Sequence, residues 1–122
     1  YHWKPKPWTT AMTKDNAAAL TAVMENVAAY GTAAGVFPGF LNVAAKTGTA
    51  QTGNSADNTH DWMIAFAPAD NPVVAVAVVV PFQAKSDSGA AVAGPIMRCV
   101  VEGALALAQG RPATGTSTTC PR

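Results

Sequence analysis

The sequence contains few charged residues. Only 12% of its 122 residues are Asp, Glu, Lys or Arg, and the formal net charge at pH 7 is +1. Proteins that bind nucleic acid or anionic membranes display clusters of basic side chains, because contacts with phosphate supply much of the affinity. This sequence has no such cluster, so we expect no nucleic-acid partner.

Long hydrophobic runs are also missing. The longest strongly apolar run, Val73 to Phe82, reaches about half of the roughly 20 residues that a membrane-spanning helix needs. No signal-peptide pattern follows Tyr1, and the chain does not begin with Met. We therefore expect the chain to be a fragment, with any membrane anchor lying outside it.

Cysteine and histidine occur only twice each. Cys99 and Cys120 could form one disulfide that encloses about twenty residues. Alternatively, Cys99 is a small core residue of an apolar helix and Cys120 a thiol in the tail. His2 and His60 are far apart in sequence, and Asp61 is the only acidic residue beside either, so no metal site is expected.

Nearly half of the residues, 49%, are hydrophobic, which is enough to form the core of a single domain. Two helices are predicted. The first lies near Lys14 to Tyr30, where apolar residues recur every three or four positions. The second lies at Ala90 to Ala108, after a polar segment in which Ser86, Asp87 or Ser88 can serve as N-cap.

Three strands are predicted between the helices, at Asn42 to Ala50, Trp62 to Ala67 and Val73 to Val80. Short turns join them, so we expect an antiparallel sheet flanked by helices, an α+β fold. The valine-rich third strand is expected to be central and buried on both faces. The large side chains that alternate along the second strand are expected to face the core: Trp62, Ile64 and Phe66.

Lys46-Thr47-Gly48-Thr49 is the most informative short motif. Side chains two apart on a strand share a face, so the hydroxyls of Thr47 and Thr49 could bind one carboxylate. Lys46 adds a cation that could also polarise a neighbouring hydroxyl in a proton relay. Gly48 removes bulk where another segment can approach. The motif therefore predicts a site for a substrate that ends in a free carboxylate.

The surroundings of this motif resemble the class B penicillin-binding proteins, whose signatures include Lys-Thr-Gly. Their transpeptidase domains contain a Gly-Thr-Ala segment, then Ala-x-Lys-Thr-Gly-Thr-Ala, a Trp-containing strand ending in Phe-Ala-Pro, and a valine-rich strand. The matching segments here are Gly31 to Ala33, Ala44 to Ala50, Trp62 to Pro68 and Val73 to Val80. The resemblance implies a five-stranded antiparallel sheet, of which these strands would be the third, fourth and fifth.

The resemblance implies a serine D,D-transpeptidase that cross-links peptidoglycan, acts on D-Ala-D-Ala stem peptides and is acylated by β-lactams. It implies catalytic roles for Lys46 and Thr49, with the N–H of Thr49 in the oxyanion hole. No cofactor is implied. The implied location is the outer face of the cytoplasmic membrane, with the anchor upstream. The substrate-binding residues would be Thr47, Gly48, Thr49, Ala50 and Gln51.

Two motifs of the family, the Ser-x-x-Lys nucleophile motif and Ser-x-Asn, do not occur in this sequence. In the family both precede Lys-Thr-Gly, so we expect the preceding half of the same domain to supply them. This chain alone would then be inactive and would form one wall of the site. Residues 1–109 would be the C-terminal portion of a transpeptidase domain, and residues 110–122 a flexible polar tail.

Two alternatives share this scaffold. One is a serine β-lactamase or β-lactam sensor, which differs from a transpeptidase in how fast the acylated serine is hydrolysed. The other is a non-catalytic binding module with the same fold. The Gly-Thr-Ala segment and the Asn71-Pro72 turn favour the transpeptidase.

Overall fold

Two helices and three strands follow one another in the order predicted from the sequence. The structure, a computed structural model, describes residues 6–39, 41–53 and 58–112. Most of the predicted polar tail, and Cys120 within it, therefore lie outside the described residues. The α+β class is confirmed. The elements are α1 (Lys14–Ala29), β1 (Ala44–Gln51), β2 (Asn58–Ala67), β3 (Val74–Ala84) and α2 (Gly89–Ala108).

The strands form one antiparallel sheet in the order β1-β2-β3. The prediction that the valine-rich strand is central is wrong for the sheet that the described residues form, because β2 lies in its centre and β3 at an edge. Along β3, half-buried valines alternate with exposed residues. This alternation arises because the described residues cover only one of its faces. A β-bulge interrupts the pairing of β2 with β3 between Thr59 and Asp61.

The core lies between α2 and one face of the sheet. Met63 of β2 and Met97 and Val101 of α2 have no exposed surface. The other β2 residues on this face include Ala65 and Ala67, whose short side chains let the helix approach closely. On β2, the covered face is therefore the one with the smaller side chains, whereas β3 contributes valines to the core.

The prediction that Trp62, Ile64 and Phe66 face this core is wrong. Trp62 and Ile64 are 41% and 46% exposed, because they lie on the face opposite α2. Phe66 is partly buried against a smaller cluster that includes Met24 of α1. The alternation of side chains between the two faces of β2 was predicted correctly. The face that α2 covers, however, carries the smaller side chains of this strand.

On the face with Trp62 and Ile64, α1 reaches only the end near Phe66, and among the described residues Trp62 and Ile64 themselves stay exposed. Val79 of β3 extends this apolar surface, and Leu20 and Val23 of α1 are also exposed. A contiguous apolar surface of this kind is unfavourable in water.

Helix α2 is long and apolar enough to cross a membrane, by length and composition alone. Its packing on the sheet shows that it is a core helix of the domain, and such helices often have the same composition. Arg98 and Glu102, one turn apart, form an ion pair with a 2.8 Å Nε–Oε1 distance. Cys99 of α2 is disulfide-bonded.

The first residue of α2 lies directly against the sheet. A Cβ atom on Gly89 would clash with the carbonyl oxygen of Trp62 and would lie 2.9 Å from that of Gly48. Ser88 caps the helix just before this contact, and its side chain accepts a hydrogen bond from the N–H of Ala91. Only glycine fits here, because both neighbours are backbone atoms of paired strands.

We predict that Gly89→Ala destabilises the domain by about 1 to 3 kcal/mol, the usual cost of overpacking a close contact. The free energy of unfolding is measured by chemical denaturation of the full-length protein. Gly39→Ala is the matched control, because a Cβ there has no atom within 4 Å. Equal stability of the two variants would contradict the close contact.

Candidate functional site

The Lys46-Thr47-Gly48-Thr49 motif lies in the middle of β1, at the edge of the sheet. β1 pairs with β2 on one side, and no strand among the described residues pairs with its other side. An edge strand leaves alternate backbone N–H and C=O groups free to bind an extended ligand. The motif therefore lies on a strand whose backbone is available to a peptide.

Thr47 and Thr49 share one face of β1, as predicted. Thr47 is paired in register with Met63, and Thr49 with Asp61. Because residues directly opposite each other on paired strands point to the same face, both threonines lie on the face that α2 covers. Met63 and Asp61 have no exposed surface, whereas Thr47 is half-buried and Thr49 exposed.

The hydroxyl of Thr47 is hydrogen-bonded to that of Thr32, with 2.7 Å between the two oxygens. Thr32 belongs to the Gly-Thr-Ala segment that follows α1. The next residue, Ala33, has no exposed surface and lies in the main core cluster with residues of α2. The core thus holds Thr32 beside the motif, although the two threonines are far apart in sequence.

The hydroxyl of Thr49 donates a hydrogen bond to Oδ1 of Asp61, at 3.2 Å. The second carboxylate oxygen of Asp61 is buried and has no hydrogen-bond partner. His60 lies on the opposite face of β2, where its Nδ1 accepts a hydrogen bond from the N–H of Phe82 at 3.2 Å. His60 and Asp61 therefore point apart, as expected of adjacent strand residues, and do not form a catalytic pair.

The ammonium group of Lys46 lies at the edge of β1. Lys46 is paired in register with Ile64, so its side chain leaves the strand on the face opposite Thr47. The chain then bends to the edge, where Nζ donates a hydrogen bond to the carbonyl oxygen of Thr47 at 2.6 Å. Lys46 is exposed, so a positive charge sits beside the free side of the strand.

Gly48 was expected to give room for another segment, and α2 does approach it. A Cβ on Gly48 would meet only Cβ of Trp62, at an ordinary 3.6 Å. The residue that needs to be glycine is instead Gly89, on the approaching helix.

Among the described residues, the motif lies on an exposed strand edge rather than in an enclosed pocket. Ala50 and Gln51 continue the exposed edge beyond the motif. They are paired with His60 and Thr59, respectively. Among the described residues, no group of three or more His, Cys, Asp or Glu side chains could hold a metal ion.

Sequence reasoning did not assign a site role to Thr32 or Asp61. The Gly-Thr-Ala segment was part of the resemblance, which is a signal that could have pointed to Thr32. Asp61 could have been noticed as the acidic residue directly before the predicted second strand. That Asp61 lies beside Thr49, however, depends on the register of β1 against β2, which the sequence alone does not give.

The sequence model of the penicillin-binding protein transpeptidase domain matches residues 2–102. The chain belongs to this family. It is 44% identical over 106 residues to the peptidoglycan D,D-transpeptidase PbpA of Mycobacterium tuberculosis, covering 84% of this chain and 21% of that protein. The chain thus spans about a fifth of the length of this relative.

Solved structures agree with the family assignment. The D,D-transpeptidase domain of a peptidoglycan glycosyltransferase from Eggerthella lenta superposes with a TM-score of 0.63 at 25% identity, over 90% of this chain and 24% of that one. PBPA from Mycobacterium tuberculosis gives a TM-score of 0.52 at 38% identity, over 77% of this chain and 20% of that one.

We predict that Thr32 and Thr47 stabilise the fold as a pair. In a double-mutant cycle with Thr32→Val and Thr47→Val, the coupling free energy should be about 0.5 to 1.5 kcal/mol, the usual net contribution of one hydrogen bond. Chemical denaturation of the full-length protein gives the four free energies.

The control for this cycle is Thr21→Val combined with Thr32→Val. Thr21 bonds only within α1, to the carbonyl oxygen of Ala17 at 2.9 Å, so its effect should add to that of Thr32→Val. Additive effects of Thr32→Val and Thr47→Val would show that the two hydroxyls are not coupled in solution.

Proposed function

We propose that this chain is part of a class B penicillin-binding protein, a serine D,D-transpeptidase that cross-links peptidoglycan stem peptides ending in D-Ala-D-Ala. The observation that supports this most is the edge of β1. There the ammonium group of Lys46 and the hydroxyl of Thr47 lie beside a free strand edge, where an extended peptide with a terminal carboxylate could bind.

Each motif residue has a role in this proposal. The Thr47 hydroxyl donates to the substrate carboxylate, and Lys46 supplies positive charge and supports proton transfer to the reacting serine. The N–H of Thr49 donates to the oxyanion that forms when the serine attacks the penultimate D-alanine carbonyl. Gly48, Ala50 and Gln51 line the remaining length of the substrate strand.

The serine nucleophile must come from outside this chain in this proposal. The expected source is the preceding half of the same domain, with its Ser-x-x-Lys and Ser-x-Asn motifs. The unpaired edge of β1 and the exposed sheet face at Trp62 and Ile64 support this source, because the preceding half of the domain could cover both. The protein would act at the outer face of the cytoplasmic membrane, because its substrate is assembled there, and its anchor would lie upstream.

We predict that fluorescent penicillin labels the full-length protein covalently and that the label persists for long periods. Persistence separates a transpeptidase from a β-lactamase, which hydrolyses its acyl-enzyme rapidly. Labelling is measured on denaturing gels, with excess unlabelled penicillin as the control for specificity. A protein that is never labelled would support the non-catalytic binding module instead.

We also predict that Thr47→Val lowers the second-order rate constant of acylation by penicillin. The loss should be about 10-fold to 100-fold, because a hydrogen bond to a charged group contributes about 1.5 to 3 kcal/mol. Intact-protein mass spectrometry follows acylation over time. Thr47→Ser should restore most of the rate, and Thr21→Val on α1 should leave it unchanged. An unchanged rate in Thr47→Val, with lower thermal stability, would make Thr47 purely structural.

A further inference from the structure

Phe82, near the end of β3, has a backbone conformation that is rare for a bulky residue. Its φ angle is 57°, and among the described residues no other non-glycine residue has a positive φ. In this left-handed region the Cβ atom comes too close to the following carbonyl oxygen, which makes the conformation unfavourable. A residue keeps such a conformation only where its surroundings hold it, so the contacts of Phe82 deserve a functional explanation.

His60 of β2 contacts Phe82 in two ways. At the β-bulge, β3 has two residues, Pro81 and Phe82, where β2 has only His60. Nδ1 of His60 accepts a hydrogen bond from the backbone N–H of Phe82 at 3.2 Å. The two rings also lie edge to face, with their centroids 5.1 Å apart and their planes at 79°. One side chain therefore holds both the backbone and the ring of the strained residue.

The hydrogen bond defines the protonation of the His60 ring. A backbone N–H can only donate, so Nδ1 must offer a lone pair and the ring must be neutral, with its proton on Nε2. A doubly protonated ring has two donors and no acceptor, and it cannot make this contact. Protonation of His60 therefore removes the hydrogen bond that holds Phe82.

The contact lies between the motif strand and the segment that leads to α2. His60 is paired in register with Ala50 of β1, the residue that follows Lys-Thr-Gly-Thr. Phe82 lies two residues before the end of β3, and α2 begins at Gly89 after a short turn. Gly89 lies against the backbone of Gly48 in the motif. The contact can therefore influence the backbone of the motif from both directions.

The turn between β3 and α2 is tight enough to transmit a shift at Phe82. The N–H of Asp87 donates a hydrogen bond to the carbonyl oxygen of Ala84 at 2.9 Å, and Ser88 caps α2 directly afterwards. Few residues separate Phe82 from the helix, so a change in its backbone cannot be absorbed in a long loop.

Few charged groups surround His60 in the described part of the chain. On β1, Lys46 leaves the strand on the same face, but its Nζ is bonded to the carbonyl oxygen of Thr47. On β2, Asp61 points to the opposite face, which α2 covers. Lys85 and Asp87 follow β3 in the turn before α2. None of these groups forms a described ion pair with His60.

We propose that His60 is a positioning residue, whose neutral ring holds the end of β3 through Phe82 and thereby keeps the motif strand in place for acylation. Histidine changes its charge between about pH 5 and 8. Because the contact needs the neutral ring, it is present at the upper end of this range and is lost as the pH falls. This inference rests on the proposed function of the β1 edge and adds to it a dependence on pH.

The first test compares the wild type with His60→Asn in the full-length protein. Asparagine offers Oδ1 as an acceptor close to the position of Nδ1, and it does not titrate. Acylation by benzylpenicillin is followed by intact-protein mass spectrometry. At about pH 8 the two second-order rate constants should agree within about twofold, whereas at about pH 5.5 the wild type should be about three- to tenfold slower, the effect of losing one hydrogen bond.

The ratio of the two rate constants is the decisive quantity, because titration of the reacting groups affects both proteins alike and cancels. The same ratio at both pH values would overturn the inference. Asp87→Asn is the matched control, since it removes a charge from the turn beside β3 and should keep the pH dependence of the wild type.

The second test is His60→Leu, which removes the acceptor at every pH. It should react about three- to tenfold more slowly than the wild type at about pH 8, and its ratio to His60→Asn should not change with pH. Reaction as fast as the wild type at this pH would contradict a positioning role. If His60→Leu does not fold, as judged by its melting temperature, the comparison of the wild type with His60→Asn decides.

The third test measures the contact without acylation. Hydrogen exchange of the peptide that contains Phe82 is followed by mass spectrometry in the wild type and in His60→Asn at each pH, so that the intrinsic effect of pH on exchange cancels. The two proteins should exchange equally at about pH 8, and the wild type should exchange faster at about pH 5.5. Equal exchange at both pH values would show that the contact does not depend on the charge of His60.

The outcomes distinguish this inference from the proposed function. If the wild type is acylated and exchange depends on pH, but the ratio of rate constants does not, His60 holds Phe82 without positioning the motif. The inference is then wrong and the proposed function stands. If benzylpenicillin acylates the wild type at no pH, the proposed function fails, and the role of His60 in acylation fails with it.

Discussion

The antiparallel pairing of β1 with β2 is the constraint on which the rest of the site depends. It places Thr47 beside Met63 and Thr49 beside Asp61. The two hydroxyls therefore lie on one face of the sheet but have different neighbours on β2. A register shift of one residue would move both threonines to the other face and place Lys46 over the core. The pairing therefore decides which motif atoms can reach a ligand.

Helix α2 holds this pairing in place from one face. Its first residue contacts the backbone of both strands at the Gly48–Trp62 pair, and its middle residues Met97 and Val101 fill the core. The packing of the core and the position of the motif strand therefore depend on the same helix.

The exposure of the other sheet face also follows from where α2 packs. Because α2 lies on the face of β2 that carries Met63 and Ala65, the large side chains of Trp62 and Ile64 remain exposed. The edge of β1 that is unpaired among the described residues and this apolar face are the two surfaces that the proposed preceding half of the domain would cover. The family assignment and the small fraction of the relatives' length that the chain covers agree with this.

The sequence by itself determined the order and type of the elements. Apolar residues at three- and four-residue intervals predicted both helices, and β-branched runs between turns predicted the three strands. The Lys-Thr-Gly-Thr motif, with the segments around it, predicted the family. These features are local, since each depends on residues close together in the chain, so they can be read without coordinates.

Only the tertiary structure decided which sheet face is buried and what lies beside the motif. Alternation along β2 separates Trp62 from Met63, but it cannot say which of them faces a helix; that depends on where α2 packs. The contacts of Thr32 with Thr47 and of Asp61 with Thr49 join residues 15 and 12 positions apart. Such contacts arise from strand register and helix packing, which are properties of the whole fold.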